Sequence, residues 1–213
     1  MSIQRPVMVS AAVEGIVDEA VVRKLVAHAG ARTGPVYGKD GKNLLKQRIN
    51  GYNNAARRSP WIVLVDLDRD AECAPPLREA WLPQTARYLC FRIAVREVEA
   101  WLMADPETLA GFLRVAIKCI PTAPEQLENP KEAMVNLARD SRRRDIRADM
   151  VPRQGSGRTV GPAYTSRLVE YVESDWRPEV AAQHAASLQG ALACLRGLIE
   201  TTATSFEGPA DSE

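Results

Sequence analysis

Short apolar runs alternate with amphipathic stretches through the first half of the chain. Pro6 to Val13 (PVMVSAAV) is almost free of charge and predicts a buried strand. A turn at Glu14-Gly15 leads into a helix from about Asp18 to Ala29, with Val22, Leu25 and Val26 as its stripe. Asp18 and Glu19 suit the positive end of that helix's dipole, and Gly30 ends it. Residues 31 to 41 are Gly-rich with room for a short strand around Val36. A second helix is expected from about Lys42 to Ala56, burying Leu44, Leu45, Ile49 and Tyr52. Trp61 to Val65 has no polar interruption, as a central parallel strand covered on both faces requires.

The alternation continues beyond Asp66. Pro75-Pro76 precede a short helix near Leu77 to Leu82, Tyr88 to Val95 reads as a strand with Arg92 its odd member, and Arg96 to Met103 turns helical. Asp105-Pro106-Glu107 marks a further helix start, with Asp as cap and Pro first inside. The order β-α-(β)-α-β-α-β-α predicts an α/β fold with an open, mostly parallel sheet flanked by helices. Past about residue 115 the strand signals stop. A helix is expected from Asn129-Pro130 through roughly Arg142, then a polar Gly-rich loop over 151–163, and helices over Tyr164 to Glu173 and from Pro178. Ala185, Leu188, Leu192, Leu195 and Ile199 form a closing stripe that faces a core. The chain thus divides into an α/β core over 1–115 and a helical extension over 116–213 packed on it, with a frayed tail from about Thr201.

Composition narrows the class. With 213 residues, 46% hydrophobic and 26% charged, the chain suits an ordinary globular domain. No segment has the apolar length of a membrane span, and Met1 to Pro6 shows no secretory pattern, so a cytoplasmic protein with no membrane partner is expected. The 28 basic and 27 acidic residues nearly cancel, and whole-chain charge argues neither for nor against nucleic acid. Arg139, Arg142, Arg143, Arg144 and Arg147 crowd one stretch with Asp140, Asp145 and Asp149; this reads as a solvated mixed-charge helix end, with phosphate contact as the alternative. Cys73, Cys90, Cys119 and Cys194 are scattered, so neither structural zinc nor a disulfide framework is expected. Two histidines, His28 and His184, do not suggest a histidine-rich metal site. Hard oxygen ligands remain.

Those ligands follow the apolar runs. Glu14 stands after the first strand, and Asp66, Asp68 and Asp70 stand after Trp61 to Val65. In an open parallel sheet, ligands bind outside the carboxyl ends of the strands. Carboxylates about 4 Å apart repel by several kcal/mol at intermediate dielectric, so such a group either raises a pKa or recruits a cation. Mg2+ or Mn2+ is the natural occupant, held by carboxylates and substrate phosphates. Glu97 and Glu99, at the exit of the next strand, are accessory candidates, with Arg92 and Arg96 as ordinary ion-pair partners nearby in sequence. The alternative is that Asp66 to Asp70 form a solvated loop and Glu14 a helix-start acid. Gly38-Lys39-Asp40-Gly41-Lys42-Asn43 lacks the spacing and hydroxyl of a phosphate-binding Walker loop, and Gly155-x-Gly157-x-x-x-Gly161 lacks dinucleotide spacing. A haloacid-dehalogenase-type Asp-x-Asp belongs on the first strand and before Gly-Thr, whereas here Arg69-Asp70 follow.

The segments VEGIVDE (Val13 to Glu19), VLVDLDRD (Val63 to Asp70), RIAVREVEAWLMAD (Arg92 to Asp105) and, more loosely, GPAY (Gly161 to Tyr164) resemble the Toprim-like proteins of the domain-of-unknown-function family DUF4276. These are relatives of the nuclease domains of the OLD (overcoming lysogenisation defect) group. The resemblance implies a Toprim-like sheet in which Glu14 is general acid/base or metal ligand and Asp66 and Asp68 bind Mg2+. It places Glu97 and Glu99 in the family's Glu-x-Glu-Ala-Trp segment, without a role. Where a Ser-Phe helix start is expected near the end, this chain has Ala186-Ser187-Leu188. The implied function is a metal-dependent phosphodiesterase, a nuclease acting on DNA or RNA in anti-phage or mobile-element defence. The alternative is a non-catalytic effector subunit working with a partner ATPase.

Overall fold

The structure, a computed structural model, describes residues 6–206. The leader reading at Met1 to Arg5 and the end of the tail, 207–213, lie outside the described residues. Four strands, β1 (Met8–Val13), β2 (Arg32–Gly38), β3 (Trp61–Asp66) and β4 (Leu89–Ala94), form one open sheet in the order β2-β1-β3-β4. All pairings are parallel, so the expected mostly parallel sheet is wholly so. Helices α1 (Ile16–His28), α2 (Lys42–Ala55) and α3 (Ala74–Trp81) alternate with the strands, as right-handed crossovers require. The strand order reverses about β1, so β1 and β3 flank the switch point of the sheet.

Burial separates the central strand from the edge. All six residues of β3 are buried, whereas β2 is longer than expected and half exposed at the edge, where Pro35 is tolerated. Gly38 closes β2 at φ +85°, and a Cβ there would stand 2.2 Å from the Val13 carbonyl oxygen, so only glycine fits. Tyr37 and Trp61 stack at 5.5 Å between ring centroids.

The chain forms two compact units that interleave along the sequence. One comprises the described residues of Met1–Val65, of Ala74–Ile93 and of Gly190–Glu213; the other comprises Asp66–Cys73 and Ala94–Gln189. The first holds the sheet and most of a long last helix, α10 (Ala186–Phe206). That helix continues past the point where fraying was expected, and its buried positions include Leu195, Leu198 and Thr202, with Ile199 only partly covered. Contrary to the sequence reading, Cys90 of β4 and Cys194 of α10 are disulfide-bonded, with Cα atoms 5.9 Å apart. A separation of 104 residues hides that pairing from any local spacing rule. No described helix is long and apolar enough to cross a membrane.

The second unit is helical: α4 (Val98–Met103), α5 (Pro106–Leu113), α6 (Pro130–Arg139), α7 (Arg144–Met150), α8 (Tyr164–Ser174) and the single turn α9 (Pro178–Ala181). Trp101, Tyr171 and Trp176 are fully buried in it, and the Trp176 indole N–H donates to the Trp101 carbonyl at 3.2 Å. The helix expected through Arg142 instead ends at Arg139. Buried Ser141 interrupts it: its hydroxyl donates to the Leu113 carbonyl and accepts the Arg143 N–H, which takes over the backbone of the next turn. Asp105 precedes α5 as expected, but its side chain caps nothing there. The carboxylate is wholly buried and accepts three hydrogen bonds from Arg177, at 3.1 Å from its backbone N–H and at 2.9 and 2.8 Å from its guanidinium.

Burial works to raise the Asp105 pKa, but the bonds from Arg177 and Thr108 outweigh it and hold the carboxyl below its usual range. Stability from a depressed carboxyl is complete above its unfolded pKa and is lost as pH falls through the folded one. Denaturant unfolding below about pH 4 should therefore show an acid-side loss of stability. In Asp105→Asn that slope should flatten, and stability near neutrality should fall by about 2 kcal/mol.

Candidate active site

Glu14 follows β1 directly; it is half-buried, and its backbone carbonyl accepts the Gly41 N–H at 3.1 Å. It belongs to the sheet unit, and the other candidate acids belong to the helical unit. Asp66, the last residue of β3, is 9% exposed, and its Oδ1 accepts the Val98 N–H at 3.0 Å, the first amide of α4. That bond satisfies an amide the helix itself cannot. Asp66 therefore couples the exit of β3 to the start of α4.

Two residues beyond, the backbone is strained. Asp68 and Arg96 both lie in the left-handed region, at φ 50° and 63°. Each costs about 1–2 kcal/mol relative to ordinary backbone, least for the aspartate. They hold each other: the Asp68 N–H donates to the Arg96 carbonyl at 2.7 Å, and the Arg96 guanidinium donates to the Asp68 carbonyl at 2.9 Å. Asp68, Arg69, Asp70, Arg96, Glu97 and Glu128 line an open cleft of about 420 Å³, with Asp70 exposed.

Glu97 and Glu99 face other tasks. Both Glu97 oxygens are taken by Lys131, one by its backbone N–H at 2.8 Å and one by its ammonium at 2.9 Å. The expected partner Arg96 instead bonds the Asp68 carbonyl. Glu99, 2% exposed, accepts the Tyr164 hydroxyl at 3.1 Å and lies 3.7 Å from the Lys131 ammonium. Burial alone would lower the Lys131 pKa, but the charges of Glu99, Glu97 and Asp66 and the bond to Glu97 override it and raise it. Lys131 is thus a fixed cation. Burial first, then the Glu99 charge and hydrogen bond, push the Tyr164 phenol upward, so it remains a donor.

Lys131 was not legible as a site residue. The Asn129-Pro130 start signal places it in the first turn of α6, but its partners lie more than thirty residues away. Ser187, in the segment that departs from the expected helix start, also acts at long range. Its hydroxyl accepts the Val95 N–H at 3.2 Å and the Trp101 indole N–H at 2.7 Å, and donates to Glu125. It pins the chain that leads from β4 into α4.

Among the described residues, no three acidic, histidine or cysteine side chains come together as a metal-holding group. The donor set is nevertheless of the hard-oxygen type, and Mg2+ commonly uses only one or two carboxylates with substrate phosphates. Asp66 and Asp68 fit that demand chemically. Glu97 fits it less, since Lys131 occupies both its oxygens.

The four-stranded parallel open sheet, with Glu14 directly after β1 and Asp66 ending β3, defines an α/β protein with an open, wholly parallel sheet. The chain belongs to the family described as Domain of unknown function (DUF4276), whose model matches residues 13–158. That match spans Glu14, Asp66 to Asp70, Glu97, Glu99 and Lys131, and ends before Tyr164. No curated protein and no solved structure matches the chain.

Replacing Lys131 by Met leaves two carboxylates without their cation, one of them buried. Because the Lys131 side chain is 40% exposed, the expected loss is about 1–3 kcal/mol in urea unfolding, less than for a fully buried pair. Adding Glu99→Gln should recover part of that loss, and additive losses would show that the two residues do not interact.

Proposed function

We propose that the protein is a metal-dependent phosphodiesterase of Toprim type that cleaves nucleic acid. The observation that carries this reading is the strained, mutually bonded pair Asp68 and Arg96, which sets an aspartate and a guanidinium on one cleft directly beyond Asp66. Left-handed non-glycine residues persist where surrounding structure holds them, and they gather at functional sites.

Asp66 and Asp68 would hold Mg2+ or Mn2+. When bound, such a cation supplies charge neutralisation to the phosphoryl oxygens. Arg96 and Arg69, on the same cleft, would orient the phosphate through planar guanidinium contacts. Lys131 sets one positive charge against Glu97 and Glu99, and the Tyr164 hydroxyl donates to Glu99. Hydrolysis requires water to attack phosphorus, its proton to pass to a base, and the P–O bond to the leaving oxygen to break. Glu14 enters as that base, or as a further ligand, through the Toprim resemblance alone. Defence against phage or mobile elements is the cellular setting that the same resemblance suggests.

Calorimetric titration with Mg2+ or Mn2+ should show saturable binding that Asp66→Asn and Asp68→Asn abolish. Cleavage of DNA or RNA should fall about 100-fold or more in Glu14→Gln and in each aspartate variant. Absence of cation binding, or cutting that survives these substitutions, would sink the reading. Activity only in a complex with a co-purifying ATPase would favour an effector subunit instead.

A further inference from the structure

Residues 139–158 carry seven arginines against three aspartates, and the structure decides how that charge is spent. Asp145 and Asp149 are not spread evenly among them. Arg143 and Arg167 both bond Asp145, and Arg167 also bonds Asp149 at 2.8 Å. The hydrogen bond from Arg143 is the leading cause that draws Asp145 down to about 2. Arg139, Arg147 and Arg153 are left without an ion pair among the described residues. The Arg139 guanidinium donates to the neutral Asn136 side chain and that of Arg147 to the Ser141 carbonyl. These three arginines wall an open groove of about 320 Å³ floored by Ala148, Val151 and Pro152.

We infer that this groove binds the phosphodiester backbone of the nucleic acid, as a contact separate from the acidic cleft. Guanidinium groups match phosphate oxygens in planar, two-point fashion, and an apolar floor accommodates sugar edges. Asp140, exposed after Arg139, is the one acid of the stretch with no ion pair among the described residues; set against Arg139, Arg147 and Arg153 it leaves the patch a positive excess. A lipid surface is the weaker match. Such patches carry exposed large apolar residues beside the basic ones, and the exposed large hydrophobics among the described residues, Met8, Ile16, Tyr37 and Ile117, all lie outside the groove.

Helix α6 links the two sites. Lys131 in its first turn bonds Glu97 of the cleft, and Arg139 at its end walls the groove. Eight residues of helix span about 12 Å, roughly three to four base steps at about 3.4 Å each. A strand laid along α6 would meet the acidic cleft at one end and the arginines at the other. The choice of nucleic acid over other polyanions rests on the phosphodiesterase reading of that cleft.

The test is fluorescence anisotropy of a labelled single-stranded oligonucleotide over a range of salt, in EDTA so that cleavage plays no part. Arg139→Gln with Arg153→Gln should weaken binding about tenfold or more and reduce the slope of log affinity against log salt by about 1.4, for two lost phosphate contacts. Lysine at both positions should restore the slope while recovering only part of the affinity. Arg57→Gln with Arg58→Gln, exposed in the sheet unit, should change neither by a comparable amount. An unchanged slope in the glutamine pair overturns the inference. So does a wild-type protein that binds no oligonucleotide, or one that binds phosphatidylserine vesicles through these arginines instead. Because no metal is present, a failed cation titration sinks the phosphodiesterase reading alone, and an unchanged salt slope sinks the groove alone.

Discussion

The helical unit depends on compensating a carboxylate that has been taken out of water. Glu99 is almost wholly buried, and an unpaired charge at such depth would cost several kcal/mol. Lys131 and Tyr164 approach it from α6 and α8. One residue of α4 therefore sets where two other helices must begin, since both partners stand in first turns. Lys131 also takes both oxygens of Glu97, which draws the start of α6 against the strained backbone at Arg96.

That strain has a structural counterweight. Asp68 and Arg96 exchange hydrogen bonds, and the Asp66 carboxylate accepts the first amide N–H of α4. Ser187 fixes the same segment by bonding Val95 and Trp101. Backbone that would relax in isolation is overdetermined here, and the side chains on the cleft are preorganised as a result. Arg177 does the same for Asp105 at the start of α5: a single guanidinium meets the buried carboxylate and exposed Glu107.

The alternation of strand and helix was legible because burial imposes a period on the residues themselves. The unbroken run Trp61 to Val65 could only be a covered strand, and the structure buries all of it. Pro106 and Pro130 marked helix starts because proline lacks the N–H that a first turn does not need. The same reasoning erred where a side chain served a distant partner. Ser141 ended α6 by bonding Leu113, Asp105 served Arg177 instead of its own helix, and Cys194 found Cys90 across 104 residues. The arginine stretch reads as a solvated mixed-charge helix end with phosphate contact as the alternative, and its sequence does not show that Asp145 and Asp149 bond Arg143 and Arg167.

The sequence by itself determined the order of elements, the parallel character of the sheet, and the acids that follow β1 and β3, because hydrophobic period and strand-end position are local properties. Only the tertiary structure decided which acids meet Lys131 and which share a cleft. It bonded Glu97 to Lys131, brought buried Glu99 near the same cation, and set Asp68 and Asp70 with Glu97 on the lining of a cleft. It also separated the arginines that neutralise acids from those that wall a groove. The reason is physical: charge compensation acts through space over a few ångströms, and residues far apart in the chain reach that distance only when the helices have packed.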